Sequence, residues 1–188
     1  MSDTSSSPPR WETLSTTTRQ ETPIFTVDAV SRRHPDRTEP ATFWVVAPSD
    51  WVNILAITPE GELVLVEQYR HGTDTVTIEI PGGAVDPDEP ALEAAKRELE
   101  EETGYTSTRW IELGKIAVNP AMMRNHCTTF LVLDVARTAV QNLDEHEDIA
   151  LTTLSIDAFF EAIDSGEIDH GIVVSAAHYL ARYLARTP

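Results

Sequence analysis

An acidic helix that follows a turn rich in proline and aspartate constrains the fold of this chain most. The segment spans residues 83–105 and reads GAVDPDEPALEAAKRELEEETGY. Pro90 suits the first turn of a helix, and Gly104 suits the position just past its end. Apolar residues that recur at helical spacing predict the buried stripe of this helix: Leu92, Ala95 and Leu99.

Three glutamates of this helix share one face that borders the apolar stripe. Glu98, Glu101 and Glu102 stand at positions i, i+3 and i+4, which are neighbours on a helix surface. Carboxylates this close repel each other unless a positive charge lies among them. They form a hard-oxygen site suited to Mg²⁺, with Mn²⁺ as an alternative. Taken alone, the cluster is also compatible with an ordinary solvated, charge-rich helix.

The residues around the glutamates add to this pattern. Arg97 is adjacent to them and is expected to tie back to Glu89, which would brace the preceding loop against the helix. Gly82 and Gly83 permit a backbone conformation in which a carbonyl approaches the same metal ion.

The rest of the chain predicts an α+β fold dominated by strands. Two helices close the chain, one beginning near Asp157 after a Ser155 cap and one spanning about 175–186. Strand-like runs occupy residues 23–32, 41–48, 51–58, 62–70, 76–80, 109–118, 128–136 and 150–156.

Composition excludes several classes of partner. The formal net charge of −17 over 188 residues repels phosphate backbones and anionic membranes, so no nucleic-acid partner is expected. No apolar run approaches the roughly 18 residues of a membrane span, and residues 1–10 lack a signal-peptide core. The single cysteine, Cys127, is read as a small buried side chain. A cytoplasmic protein with a disordered tail over residues 1–10 is expected.

The full spacing of the acidic segment resembles the Nudix box. Its fixed positions are Gly83, Glu89, Arg97-Glu98-Leu99, Glu101-Glu102 and Gly104-Tyr105. The resemblance implies the Nudix fold, a mixed β-sheet sandwiched between helices, and hydrolysis of a nucleoside diphosphate linked to another group. It implies divalent-metal ligation by Glu98, Glu101 and Glu102, with Glu102 also central to catalysis, and help from the Gly82 carbonyl. Architectural roles are implied for four residues: Gly83, Glu89, Arg97 and Gly104.

Two stretches outside the box resemble the ADP-ribose pyrophosphatase and nucleotide-sugar branch of that family. LVLVEQYRHG, at residues 63–72, precedes EIPGG, at residues 79–83. In that branch the arginine corresponding to Arg70 contacts substrate phosphates, a role that suits a guanidinium fork. A surface arginine at a strand end is the alternative. Pro120, 15 residues after the box ends at Tyr105, is a weaker mark of the same branch.

The acidic stretch NLDEHEDI, at residues 142–149, resembles the loop that supplies a water-activating glutamate in this branch. The resemblance implies that Glu145 is the general base and Glu147 a metal ligand, while His146 is a bystander. A base on a mobile loop reaches the attacking water when the loop closes. A solvated acidic turn is the alternative.

One segment departs from the branch. Residues 121–125 read AMMRN, where the well-known ADP-ribose enzymes tend to have a glycine-rich turn and an acidic residue at the position of Asn125. Asn125 is retained as a substrate contact, but the departure puts ADP-ribose itself in doubt. Met122 and Met123 either shape a different pocket or simply pack.

The N-terminal strands precede the Nudix core. Residues 11–50 are expected to form a small β extension, and residues 51–188 the hydrolase domain. In the resembling branch such an extension pairs with a second subunit, which implies a homodimer. Trp44 either stacks on a nucleotide base or is buried in that contact, and burial is favoured.

The expected function is Mg²⁺-dependent hydrolysis of ADP-ribose or a related nucleoside diphosphate sugar. A second hypothesis keeps the chemistry and changes the substrate, for example to a dinucleoside polyphosphate. A third is a Nudix domain that senses a nucleotide without cleaving it, but such a domain is expected to have a broken box, and this box is intact.

Overall fold

The computed structural model describes residues 7–145 and 147–186, which form two compact units. Unit 1 contains the described residues up to Ser49 together with residues 119–125. Unit 2 contains residues 50–118 and the described residues from His126 onward. Most of the predicted tail, at 1–6, lies outside the described residues, as does His146.

Unit 1 is a three-stranded antiparallel sheet in the order β1 (Glu12–Glu21), β2 (Phe25–Arg33), β3 (Ala41–Pro48). The segment 119–125 extends it, because Val46 N–H donates to Met122 O at 2.8 Å and Arg124 N–H donates to Val46 O at 3.1 Å. Strand β1 was not predicted from the sequence. Its serines, threonines and charged residues show no apolar alternation, and every residue in it is exposed.

Unit 2 is built on a mixed six-stranded sheet. Its main path runs β11 (Ile149–Ser155), β5 (Glu62–Arg70), β4 (Trp51–Ile57), β9 (His126–Leu133), β8 (Arg109–Ala117). The β4–β9 pair is parallel and the other pairs are antiparallel. β6 (Thr75–Glu79) pairs with the C-terminal half of β5. Two short strands, β7 (Tyr105–Thr106) and β10 (Ala136–Arg137), form a separate ladder.

Helices cover both faces of this sheet. Side chains alternate between the faces of a strand, and β4 buries both sets. Val52, Ile54 and Ala56 pack against α1 (Ala91–Thr103), whereas Leu55 and Ile57 pack against α2 (Ile156–Ser165) and α3 (Gly171–Leu184). The predicted sheet between helices is therefore confirmed.

The box helix, α1, follows its sequence signals closely. Ala95 and Leu99 are fully buried, while Leu92 is half-buried. Pro90 is the N-cap residue, and the helix ends at Gly104, whose φ of 72° is left-handed and whose N–H donates to Glu100 O at 2.8 Å. Glycine adopts this conformation without the steric cost that a side chain adds.

The two C-terminal helices match the prediction unequally. Ser155 caps α2 as expected, accepting a hydrogen bond from Ala158 N–H at 3.2 Å. The last helix begins at Gly171 rather than near Ser175, because its first turn carries the buried Val173. Cys127 is buried in β9 as expected, and burial raises the pKa of its thiol to about 12. None of the helices in residues 7–145 and 147–186 is long and apolar enough to cross a bilayer.

Candidate active site

The loop after β6 lies along one edge of β4 and bonds to it through the carbonyls of Pro81 and Gly83. Val52 N–H donates to Gly83 O at 3.0 Å, and Ile54 N–H donates to Pro81 O at 2.8 Å. The carbonyl of Gly82, between these two, accepts no hydrogen bond from any residue that the structure describes. A side chain at Gly82 would collide with the backbone of Val52. The loop thus leaves one carbonyl oxygen available at the N-terminal side of the site.

Glu102 joins this loop to helix α1. Its Oε2 atom accepts a hydrogen bond from the backbone N–H of Gly82 at 2.9 Å, and its side chain is buried. Burial raises the pKa of Glu102 to about 8, helped by the charges of Glu98 and Glu147 and opposed by the Gly82 hydrogen bond. A carboxylate this buried costs free energy to ionise unless a cation compensates it.

Glu98 lies against the same loop. A Cβ atom at Gly83 would overlap the carboxylate of Glu98, so the glycine leaves the room that this side chain occupies. Burial raises the pKa of Glu98, with Arg97 acting in the opposite direction. Gly82 therefore lets the loop lie close to β4, and Gly83 lets it lie close to Glu98.

Arg97 is the cation that offsets the repulsion within the acidic cluster. It binds Glu89 through two hydrogen bonds of 3.1 and 3.0 Å, which is the predicted brace between loop and helix. Its Nη1 atom lies 2.8 Å from Glu98 Oε1 and 3.1 Å from Glu101 Oε2. The hydrogen bond to Glu89, above all, raises the pKa of Arg97. One guanidinium thus contacts three carboxylates and offsets part of their mutual repulsion.

The acidic loop is fastened to the C-terminal end of α1. Gln141 Nε2 donates to Glu102 O at 2.8 Å and to Ile149 O at 3.2 Å, and Asn142 N–H donates to Glu101 O at 2.9 Å. These bonds hold the two ends of the loop next to the box helix. The acidic pattern NLDEHEDI begins at Asn142, so the sequence did not identify Gln141. The hydrogen bonds of this side chain appear only in the folded chain.

The two glutamates of this loop differ in their surroundings. Glu147 accepts a hydrogen bond from Asp144 N–H at 3.1 Å, and its charge helps to raise the pKa of both Glu98 and Glu102. It therefore lies within electrostatic reach of the box glutamates. Glu145 is exposed in the turn, and no hydrogen bond or ion pair of its side chain is found among the described residues.

Arg70, at the end of β5, is held by a carboxylate that sequence reasoning overlooked. Its Nε and Nη2 atoms donate to the two oxygens of Glu79, both at 2.7 Å. Glu79 also accepts from Thr77 Oγ1 at 2.6 Å and contacts His170 Nδ1 at 2.8 Å. His170 is 91 positions away in sequence, so no local pattern could reveal this contact.

The remaining two predicted substrate contacts belong to unit 1. Trp44, in β3, is 59% exposed and lines an open groove of about 590 Å³. Trp44 is not buried within the chain. Asn125 is 3% exposed, and its amide nitrogen and oxygen have no hydrogen-bond partner among the described residues. The groove is lined by Pro9, Arg10, Trp11, Arg32, Phe43, Trp44, Val45, Pro120, Ala121, Met122, Met123 and Arg124.

The donor chemistry of unit 2 fits a divalent cation. Within residues 7–145 and 147–186, no three Asp, Glu, His or Cys side chains already surround a common point. Glu98 and Glu101 each contact Arg97 through one carboxylate oxygen. The carboxylates of the box and the unengaged Gly82 carbonyl are an all-oxygen set, which hard cations prefer.

The chain is similar in sequence to known bacterial proteins over about two thirds of its length. The ADP-ribose pyrophosphatase of Bacillus subtilis (strain 168) is 28% identical over 130 residues, which are 69% of this chain and 70% of that protein. The methanol dehydrogenase activator of Bacillus methanolicus is 32% identical over 130 residues, with the same coverage of 69% and 70%.

The fold and the family are matched over a larger part of the chain. A crystal structure of an ADP compounds hydrolase has a TM-score of 0.84, covering 96% of this chain and 97% of that one at 22% identity, which shows a shared fold. The NUDIX domain family matches residues 49–174 of this chain. This range includes β4 to β9, the box helix and the acidic loop. This chain therefore belongs to the NUDIX domain family.

Proposed function

We propose that this Nudix hydrolase cleaves the diphosphate bond of ADP-ribose or a related nucleoside diphosphate sugar. One observation carries the proposal: Glu102 of the box accepts a hydrogen bond from Gly82 N–H, the Glu98 carboxylate lies against Gly83, and the charge of Glu102 also acts on Arg70. Carboxylates of a kind that suits a cation thus act electrostatically on a guanidinium of a kind that suits a phosphate, which supports the proposal. The similarity to an ADP-ribose pyrophosphatase supports the choice of substrate class.

The proposal includes Mg²⁺ as the divalent cation. Glu98, Glu101, Glu102, Glu147 and the Gly82 carbonyl are the proposed ligands. A protein with a formal charge of −17 repels an anionic diphosphate. When bound, the cation neutralises phosphate oxygens, lowers the pKa of water and stabilises the leaving oxygen.

The protein groups around the diphosphate are assigned separate tasks. Arg70 donates hydrogen bonds to phosphate oxygens and holds the diphosphate in line with the attacking water. Glu145 accepts the proton that the water loses. One P–O bond forms with the water oxygen and the bridging P–O bond breaks. The products are a nucleoside monophosphate and a sugar phosphate.

Unit 1 has a proposed role in binding and assembly. Trp44 stacks on the nucleotide base and Asn125 donates to or accepts from the substrate. The exposure of large apolar side chains in this unit, among them Ile24, Trp44 and Met122, supports a homodimer formed through this surface. Light scattering that gives the mass of a monomer at micromolar concentration would remove the dimer. A cytoplasmic location belongs to the same proposal, because nucleotide sugars are metabolites of the cell interior.

A panel of nucleotides tests the proposed function. The protein is incubated with Mg²⁺ and ADP-ribose, other nucleoside diphosphate sugars or dinucleoside polyphosphates, and product masses are measured in ¹⁸O-labelled water. The proposal requires release of a nucleoside monophosphate, and the position of ¹⁸O identifies the phosphorus that water attacks. Preference for a dinucleoside polyphosphate would replace the substrate class. Binding without turnover of any nucleotide would favour a sensing domain.

A further inference from the structure

Glu79 is a buried carboxylate with an unusually complete set of hydrogen bonds. Its side chain is 3% exposed, and it bonds Arg70 twice, Thr77 once and His170 once. It stands at the end of β6, immediately before the Ile80–Gly83 stretch that forms one wall of the candidate active site. None of its partners belongs to the Nudix box.

The hydrogen bonds around Glu79 determine its charge and the tautomer of a neutral His170. Burial by itself raises the pKa of Glu79, but the hydrogen bonds from Arg70, His170 and Thr77 outweigh burial and lower the pKa to about 2. The carboxylate is therefore ionised at neutral pH and can only accept hydrogen bonds. It follows that the proton of a neutral His170 lies on Nδ1, the atom that faces Glu79.

Arg70 is held in an extended position along the sheet. Its register partner across the β5–β6 ladder is Thr75, whereas Glu79 pairs with Val66. The bidentate bond therefore links Arg70 of β5 to a β6 residue that is four positions beyond its register partner, and Thr77 lies between Thr75 and Glu79 on the same face. A guanidinium that is anchored at one end in this way has few rotamers left.

The anchored guanidinium still has donors to spare. Its Nε and one N–H of Nη2 bind Glu79, while no hydrogen bond of Nη1 is found among the described residues. The side chain of Arg70 is 42% exposed. Beyond Glu79, the charges of Glu102 and Glu147 also raise the pKa of Arg70, so its guanidinium lies within electrostatic reach of these carboxylates.

Stability alone is a weak reason for such a pair. Removing a carboxylate and a guanidinium from water costs free energy, and their mutual attraction offsets only part of it. A pair of apolar side chains of similar volume often stabilises a fold equally well. Here the carboxylate of Glu79 is buried, whereas the guanidinium of Arg70 is partly exposed to solvent. That asymmetry suits a group whose outer face is used by a ligand.

We propose that Glu79, braced by His170, is the positioning residue that aims the outer face of Arg70 at a phosphate of the substrate. The inference rests on the proposed function and deepens it, because it names the residues that prepare the phosphate subsite before substrate arrives. Neither residue touches the reacting atoms. Both act through Arg70. Burying the Glu79 carboxylate costs free energy, and the gain is a guanidinium that is already oriented before substrate binds.

A double-mutant cycle tests this mechanism. Glu79→Gln is expected to lower kcat/KM for the preferred nucleotide by about 10- to 100-fold. In an Arg70→Gln background the same change is expected to lower it by less than about twofold, because the residue it positions is gone. Asp134→Asn, which removes the exposed ion pair with Arg109 elsewhere in unit 2, is the matched control and leaves kcat/KM unchanged. Equal losses from Glu79→Gln in both backgrounds would overturn the inference.

A milder variant covers the case in which Glu79→Gln does not fold. His170→Gln leaves the Arg70–Glu79 pair in place and removes only the brace. It is expected to lower kcat/KM by about two- to tenfold in the wild-type background and not in the Arg70→Gln background. Losses that are equal in the two backgrounds, or no loss in either, would count against the inference.

A measurement without turnover separates this inference from the proposed function. The Arg70 Nε–H resonance of the substrate-free protein is expected to be slow to exchange in the wild type and to move toward the position of a free arginine in Glu79→Gln. An unchanged resonance overturns the inference. Wild-type protein that hydrolyses no nucleotide overturns the proposed function, whereas hydrolysis with additive losses overturns only the positioning role.

Discussion

The backbone N–H of Gly82 donates a hydrogen bond to Oε2 of Glu102 across 2.9 Å. This bond joins the loop after β6 to the last turn of helix α1, two segments that are 20 positions apart. It also orients the peptide units of the loop, so that the carbonyl of Gly82 is left without a protein partner while those of Pro81 and Gly83 bind β4. The most buried box glutamate is therefore held in place by a backbone hydrogen bond.

Replacement of Glu102 by glutamine is expected to abolish most of the activity. The amide retains the shape of the side chain but contributes no negative charge to cation binding, and turnover should fall by about 1000-fold. The fold should persist, since glutamine can still accept the Gly82 hydrogen bond. Initial rates and far-ultraviolet circular dichroism measure the two effects.

Glu100→Gln is the control for this prediction. Glu100 is exposed on the same helix, and its backbone carbonyl, not its side chain, caps the helix end. The rate should match the wild type. A Glu102→Gln enzyme with near-normal turnover would show that the buried carboxylate does not serve the chemistry.

Added divalent cation is expected to raise the melting temperature of the wild type. A ligand that binds only the folded state at about 100 times its Kd adds about 2.7 kcal/mol of stability. Glu98→Gln and Glu101→Gln should each reduce the shift, because they remove proposed ligands. Thermal melts with Mg²⁺, Mn²⁺ and EDTA measure this. Equal shifts in the variants and the wild type would place the cation elsewhere.

Gly83→Ala is expected to weaken cation binding through Glu98. The added Cβ overlaps the Glu98 carboxylate, so that side chain or the loop has to move. Gly72→Ala serves as the control, because a Cβ there meets open space and the backbone is not left-handed. Calorimetric titration with Mn²⁺ should show a weaker Kd for Gly83→Ala alone. Unchanged affinity would mean that the loop yields without cost.

Glu79 makes the stability of the protein depend on pH in the acid range. Its pKa is lowered to about 2 in the folded state from an ordinary value of 4.5, so the stabilisation is complete above the unfolded pKa and is lost as pH falls toward 2. The full difference corresponds to about 3 kcal/mol. Urea unfolding of wild type and Glu79→Gln should therefore differ most near pH 6 and least near pH 2.5. A difference that stays constant over this range would contradict the ion-pair account.

Glu145 is tested by the same type of substitution. If it accepts the proton of the attacking water, Glu145→Gln should lower kcat by about 100- to 10,000-fold with little change in KM. Asp148→Asn, an exposed carboxylate of the same loop, is the control and should leave kcat near the wild-type value. A Glu145→Gln rate equal to the wild type would assign the proton to another group.

Family and fold class were predictable from the order of residues in the chain. The spacing from Gly83 to Tyr105 led to the Nudix resemblance, which the family match over residues 49–174 confirms. Helix α1 and the central strands were also predicted, because their apolar periods are long and their ends carry proline and glycine. Strand β1 was missed for the opposite reason, since an exposed strand has no apolar period.

Local spacing determined which carboxylates share a helix face, because a helix repeats every few residues wherever it lies. Only the tertiary structure decided what each of them meets. Folding buries Glu102 against Gly82, gives Arg97 three carboxylates, and brings His170 to Glu79 from 91 positions away. Such contacts depend on which strands pair and which helix covers them. Burial and long-range contacts therefore determine the charge and orientation of these side chains. Neither can be read from a short stretch of sequence, because both depend on segments that are distant along the chain.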